Sequence, residues 1–151
     1  MFLGSDEVNM DAKGRMPIPA RYRDELMSEY GGNLVVTINP SDTALSVYLP
    51  PAWEEVEEAI ARMPSFKQST RDFQHLLLGN ARRLELDSSG RVLIPPKLRA
   101  LGELGKGVTL VGQSHRLEIW DTERWDIHHK ELCDAMANGL EASEEMQAIP
   151  L

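Results

Sequence analysis

The sequence predicts an α+β fold in which two tandem β-β-α-β-β units pair about a pseudo-two-fold axis into a small barrel-like β core with flanking helices. The first observation behind this is a duplication. VNMDAKGRMPIPARYRDEL from Val8 aligns with LELDSSGRVLIPPKLRALG from Leu84 at a constant offset of 76 residues. Asp11 meets Asp87, Gly14 meets Gly90, Arg15 meets Arg91, Ile18 meets Ile94, Pro19 meets Pro95 and Arg23 meets Arg99. Farther on, LSVYLPPAW from Leu45 matches LEIWDTERW from Leu117 at an offset of 72, ending on Trp53 and Trp125. The second observation is alternation: Val8 and Met10, then Met16 and Ile18, flank a turn in the pattern of half-buried strands. The third is size. A unit of roughly 45 residues buries too little surface to be stable alone, so two units must share one core.

The elements follow in order. Gly14 and Gly90 stand where a tight turn wants positive φ, and Asp11 and Asp87 can bond the backbone of their own turns. Each turn is read as the tip of a β-hairpin. Pro19 and Pro95 suit the first turn of a helix, where a missing N–H costs nothing. The short helices ARYRDELMSEY and PKLRAL then carry Tyr22, Leu26, Leu98 and Leu101 inward, and glycines end them. The apolar runs LVVTI and VTLVG come next as strands, followed by turns (NPSDT, QSH) and the strands LSVYL and LEIW. Between the units, Pro51 to Met63 places Trp53, Val56 and Ile60 on one helical face with Glu54, Glu55, Glu57 and Glu58 outside. Ser69 to Leu78 offers Phe73, Leu76 and Leu77 as a second apolar helix. After the second unit, Thr122 can cap a helix carrying Trp125, Leu132, Met136 and Leu140, with Cys133 among its core positions. The expected organisation is thus a first unit over residues 1–50, a helical insertion over 51–81, a second unit over 82–121, and a C-terminal helix with an acidic tail over 122–151.

Composition narrows the function. The 151 residues hold 16 bases and 24 acids for a formal charge of −8, with 42 % hydrophobic residues, a soluble globular balance. No stretch approaches the roughly 18 apolar residues of a membrane span. The start MFLGSDEVNMD lacks the charged and apolar regions of a secretion signal, and Cys133 is the one cysteine, so the expected compartment is the cytoplasm. Net acidity argues against a general nucleic-acid coat. It is unevenly spread, however: residues 121–151 carry a net charge of −6, whereas eight bases face three acids between Arg62 and Arg99. The acidic tail is read as restraining non-specific DNA binding.

No catalytic constellation, metal set or cofactor motif emerges. His128 and His129 are adjacent on a helix, where side chains point about 100° apart and share one ion poorly. Cys133 is expected to be an inert buried thiol. LGKG lacks the remainder of a phosphate-binding loop, and an enzyme would need a nucleophile–base pair the chain does not offer. The repeated D-x-x-G-R turn stands apart, because both copies are followed at once by arginine, with further bases close by. An internal salt bridge to the turn aspartate is one use of that arginine. The other is DNA: a two-stranded ribbon fits the major groove, and arginine bonds guanine O6 and N7 bidentately. On that reading Arg15, Arg91 and Lys13 face the bases, while Arg21, Arg23, Lys97 and Arg99 hold phosphates.

These stretches together (MFLG…VNMDAKGRMPIPARYR, LLLGNARRLELDSSGRVLIPPKLR and LVGQSHRLEIWDTERW) closely resemble the MraZ family, whose members contain tandem SpoVT/AbrB-type DNA-binding units. The resemblance covers essentially the whole chain. It implies a cytoplasmic, nucleoid-associated transcriptional regulator that binds short direct repeats of double-stranded DNA in the promoter of its own division and cell-wall gene cluster. It also implies a ring-shaped homo-oligomer. In that family the D-x-x-x-R element contacts DNA, which maps here onto Asp11 and Arg15, and onto Asp87 and Arg91; Lys13 matches a basic residue of the first turn, where the second copy has Ser89. A ring would engage consecutive repeats and gain affinity by avidity. The competing class is a ring-forming scaffold without specific DNA readout, and an antitoxin-like role is a third reading.

Overall fold

The computed structural model describes residues 2–139 and 141–151. The first repeat contributes β1 (Ser5–Asn9), β2 (Arg15–Pro17), α1 (Ala20–Tyr30), β3 (Asn33–Ile38) and β4 (Leu45–Tyr48). Two helices follow, α2 (Pro50–Ala61) and α3 (Gln68–Leu77). The second repeat contributes β5 (Arg82–Glu85), β6 (Arg91–Leu93), α4 (Pro96–Leu101), β7 (Gly107–Gln113) and β8 (Arg116–Asp121), and α5 (Thr122–Ala137) and α6 (Glu144–Gln147) close the chain.

The repeats interlock rather than stack. Six strands form one antiparallel sheet in the order β1-β7-β8-β4-β3-β5, and β2 pairs with β6 in a separate two-stranded ribbon. β1 therefore completes the second repeat's strands and β5 completes the first's. In the β4·β8 ladder Ser46 lies opposite Glu118, and in the β2·β6 ladder Met16 lies opposite Val92. Each of these four residues faces its own equivalent in the other repeat, at the offsets of 72 and 76 that the duplication has in sequence. Residues that pair with their own equivalents lie on the symmetry axis, so the pseudo-two-fold passes through both ladders.

One core serves both repeats. Met16, Ile18, Val92 and Ile94 come down from the ribbon onto Leu34, Val36, Leu45, Val47, Leu110, Leu117 and Ile119 of the sheet, and all are buried. On the outer side of the sheet, α2 lays Trp53 against Val35 and Tyr48, and Thr37 Oγ1 donates to the Leu77 carbonyl at 2.7 Å to hold α3. In the equivalent place on the second repeat, α5 lays Trp125 against Trp120, with ring centroids 5.4 Å apart.

Several expectations are corrected. The sheet is open, with β1 and β5 as its edges, so the barrel-like core is not a closed barrel. The repeated turns are not the tips of paired hairpins either: the arms of each turn diverge, β1 to β7 and β2 to β6. β2 and β6 are three residues long and bounded by Pro17, Pro19, Pro95 and Pro96, which have no N–H to extend a ladder. Asp121, not Thr122, is the N-cap of α5; its carboxylate accepts from the Arg124 N–H, while Thr122 Oγ1 meets Thr109 Oγ1 at 3.0 Å. Leu76, Leu101, Leu132 and Met136 are exposed rather than inward. Cys133 is exposed as well, because α5 touches the sheet only near its start and buries none of its described residues. Leu140 lies outside the described residues.

Candidate nucleic-acid interface

Each turn is closed from within by its aspartate. The Asp11 N–H donates to the Arg15 carbonyl at 2.8 Å and the Gly14 N–H to the Asp11 carbonyl at 3.0 Å. Asp11 Oδ1 then accepts from the backbone N–H groups of Lys13 and Arg15 at 3.0 and 2.9 Å. The second turn repeats this scheme with the Asp87 N–H on the Arg91 carbonyl at 2.8 Å, and Asp87 Oδ1 accepting from Ser89 and Arg91 at 2.8 and 3.0 Å. A chain that bends this sharply leaves N–H groups pointing inward, and a short carboxylate is the residue that collects them. Gly14 and Gly90 take positive φ, 93° and 73°, to complete the bend.

These bonds set the charge of the site. The Arg15 N–H foremost, with the Arg15 guanidinium and the Lys13 N–H behind it, outweighs partial desolvation and lowers the Asp11 pKa to about 2. Asp87 is lowered in the same direction, chiefly by the Arg91 N–H and then by that of Ser89. Both carboxylates are thus anions at any physiological pH, fixed as acceptors for the arginines beside them.

The arginines leave the turns on a common face. Because Met16 and Val92 point into the core, Arg15 and Pro17 of β2 and Arg91 and Leu93 of β6 point out. Arg15 stands opposite Leu93 and Arg91 opposite Pro17, so the two arginines lie diagonally across the axis, a separation of about 7–8 Å in strand geometry. Arg15 gives Nε to Asp11 Oδ2 at 2.8 Å, and among the described residues nothing takes its terminal nitrogens. Arg91 Nε lies 3.3 Å from Asp87 Oδ2, and its Nη1 reaches 3.8 Å from Asp11 Oδ2 in the other turn. Side-chain exposures of 35 % and 37 % leave the outer edge of each guanidinium in solvent. The internal salt bridge expected as an alternative use of Arg15 is therefore present, and it orients the fork without occupying it.

The remaining bases fall into two groups. Arg23 and Arg99 each cross to the opposite repeat. Arg99 lays its guanidinium over Gly14, where an added Cβ would come 2.6 Å from Nε, and Arg23 does the same over Gly90. They are anchored by the Ile18 and Ile94 carbonyls, at 2.8 Å from Arg23 Nη2 and 3.1 Å from Arg99 Nε. The ribbon is tied in the same crossed sense, with the Ile18 N–H on the Gly90 carbonyl at 3.0 Å and the Ile94 N–H on the Gly14 carbonyl at 2.9 Å. Arg21 and Lys97 are exposed equivalents at the starts of α1 and α4. Arg21 is engaged: it bonds both Asp6 carboxylate oxygens, the Leu3 carbonyl and the Tyr22 hydroxyl. Lys13 is exposed at the tip of the first turn.

The structure adds one base that the repeat pattern did not single out. Lys106 is exposed at the entry to β7, and its carbonyl accepts the Met10 N–H at 2.7 Å, which sets it beside the first turn. It lies outside the aligned motif, in a loop where the repeat offset shifts, so spacing alone carried no signal for it. Among the described residues no group of three or more His, Cys, Asp or Glu side chains could hold a metal ion, and no helix is long and apolar enough to cross a membrane.

Comparison with known proteins gives a consistent result. The family described as "MraZ protein, putative antitoxin-like" matches residues 1–76 and again 77–147. A protein of Pseudomonas aeruginosa named transcriptional regulator MraZ is 48 % identical over 126 residues, covering 83 % of each chain. One of the same name from Azotobacter vinelandii is 48 % identical over 125 residues, covering 83 % of this chain and 82 % of that one. Another from Coxiella burnetii is 41 % identical over 152 residues, covering the whole of both chains.

Proposed function

This chain belongs to the MraZ family, and from that premise we propose that it is a sequence-specific DNA-binding regulator of transcription, not an enzyme. Its operator is a set of short direct repeats in the promoter of its own division and cell-wall gene cluster. The observation that carries the reading is the pair Arg15 and Arg91. They stand on one outward face of a two-stranded ribbon, each guanidinium beside the aspartate of its own turn, Arg15 with both terminal nitrogens unpartnered among the described residues and Arg91 with Nη1 turned toward Asp11.

A ribbon of this width fits the major groove, and a fixed guanidinium fork matches the two acceptors of guanine. Arg15 and Arg91 read base edges. Asp11 and Asp87 hold them in place, and Lys13 and Lys97 meet phosphates at the periphery, whereas Arg21 is held by Asp6. Arg23 and Arg99 belong to the same interface from beneath, as cations that fix the turn glycines and add positive potential. The units that carry the turns are of SpoVT/AbrB type, over residues 1–50 and 82–121, with the helical insertion at 51–81 and the C-terminal helix and acidic tail at 122–151.

One chain brings few cations to DNA, so single-site binding is weak at cellular salt and a ring-shaped homo-oligomer on consecutive repeats supplies the affinity. Exposed Ile127, Leu132 and Met136 along α5 support such association. The working place is the cytoplasm, on the nucleoid. The scaffold alternative draws on the Asp11–Arg15 ion pair, which a purely structural turn would also use.

Genome-wide mapping of bound DNA with wild type and Arg15→Ala side by side tests the proposal. Enrichment upstream of the protein's own gene, lost in the variant while its assembly by size-exclusion chromatography is unchanged, is the expected result. An assembly that dissociates in Arg15→Ala, with wild type enriched nowhere, would establish the scaffold reading instead.

A further inference from the structure

At the turns themselves the pseudo-two-fold is broken by charge in favour of the first, although in the strands leading into them Arg82 and Arg83 of β5 stand where β1 has Asp6 and Glu7. Lys13 and Ser89 are equivalents, both exposed, with their N–H groups on the turn aspartates. Lys106 has an equivalent too. The Met10 N–H donates to the Lys106 carbonyl at 2.7 Å, and the Leu86 N–H, from the matching position of the other repeat, donates to the Gly32 carbonyl at 2.9 Å. Two lysines at the first turn thus face a serine and a glycine at the second. Arg91 leans the same way, with Nη1 at 3.8 Å from Asp11, while no described contact runs from Arg15 to Asp87.

Shape follows charge. α1 has 11 residues and brings the Met27 thioether over Gly32, whereas α4 has six and ends before the corresponding place. The space left beside the first turn is an open cleft of about 560 Å³ lined by Met10, Ala12, Arg99, Leu104 and Lys106, with Asp11 at its wall. The Asp11 carboxylate does not repel an anion there as a bare charge would, because Arg15 and Arg91 both lie against it.

We propose that the first turn is the anchoring half of the interface: Lys13 and Lys106 hold successive backbone phosphates at the mouth of this cleft, and the near-symmetric ribbon therefore sits on DNA in a single orientation. The inference rests on the DNA-binding reading above. It makes Lys106 a DNA contact and gives one chain a direction, which a two-fold reader of palindromes would lack.

The test is the salt dependence of binding to a duplex taken from upstream of the protein's own gene, by fluorescence anisotropy, with a random duplex of equal length as control. Each lysine–phosphate contact removed flattens the log K against log salt slope by about 0.9. Lys13→Ser and Lys106→Gln are each expected to do so, with binding several-fold weaker, while Ser89→Ala leaves slope and affinity unchanged. Both lysines are exposed and, among the described residues, no hydrogen bond or ion pair is made by the Lys106 side chain, so circular dichroism should stay native. Hydroxyl-radical footprints of the two strands should be unequally protected about the centre of one repeat. Unchanged slopes in both lysine variants, or footprints symmetric about that centre, overturn the inference while leaving DNA binding intact. Failure of the wild-type protein to bind either duplex overturns the DNA reading itself, and this inference with it.

Discussion

Met16 lies directly opposite Val92, its own equivalent in the second repeat, and both side chains are buried at the point where the pseudo-two-fold crosses the ribbon. Every outward feature of the ribbon is placed by this pair. Once these two point into the core, their neighbours Arg15 and Arg91 must point away from it.

Met16→Ala is therefore expected to cost about 2–5 kcal/mol, the range for truncating a fully buried methionine. Urea unfolding followed by circular dichroism measures it. Since the cavity lies under both repeats, the variant should still unfold in one transition; separate transitions would show that the repeats are independent.

The turn glycines are sensitive for two reasons at once. Gly14→Ala and Gly90→Ala place a Cβ on a backbone of positive φ and into the guanidinium of Arg99 or Arg23. A loss of roughly 1–3 kcal/mol is expected from the strained backbone, read by thermal or urea unfolding, and DNA affinity should fall further than that stability loss explains. Wild-type stability in either variant would mean that the turn does not need its left-handed residue.

Acid should loosen the turns. The Asp11 pKa is lowered to about 2 in the folded chain from an ordinary 3.8, and Asp87 is lowered in the same direction. The unfolded chain thus binds protons at higher pH than the folded one. The stabilisation from these carboxylates is complete above about pH 4 and is lost as pH falls from there through about 2. Asp11→Asn should flatten this part of a stability–pH curve obtained from urea midpoints. A variant with the full wild-type acid loss would assign that loss to other carboxylates.

The interlocked strands predict the behaviour of a half molecule. A fragment of residues 1–81 keeps β1 and β3 but loses β7 and β5, the strands that pair with them. As a monomer it should be largely unfolded, and any folding should depend on concentration, as pairing between two copies requires. Circular dichroism across a dilution series checks this; a folded, concentration-independent monomer would contradict the exchange.

Much of this was readable from the residues. The duplication announced equivalent turns, and Asp11, Gly14 and Arg15 announced their chemistry, because an aspartate-closed bend is a local structure decided within five residues. The faces of the short helices were legible for the same reason: Tyr22, Leu26, Trp53 and Ile60 are buried as their spacing implies. Partnership was not legible. Alternation around DAKG fits a hairpin as well as it fits a strand crossing to another repeat, since period two reports which face is buried and not which strand lies alongside. Nor could spacing show that Arg23 and Arg99 cross over the opposite glycines, or that Lys106 stands beside Asp11.

By itself the sequence determined the repeat, the two closed turns, the elements around them and the concentration of negative charge in residues 121–151. Each of these depends on neighbours within a turn or two of chain. Only the tertiary structure decided that the sheet stays open, that the repeats exchange β1 and β5, and that Cys133 faces solvent. It also decided that a second lysine, Lys106, stands beside the first turn. These outcomes follow from which surfaces meet across the axis, and contacts between segments some 76 residues apart leave no mark in the local pattern of either one.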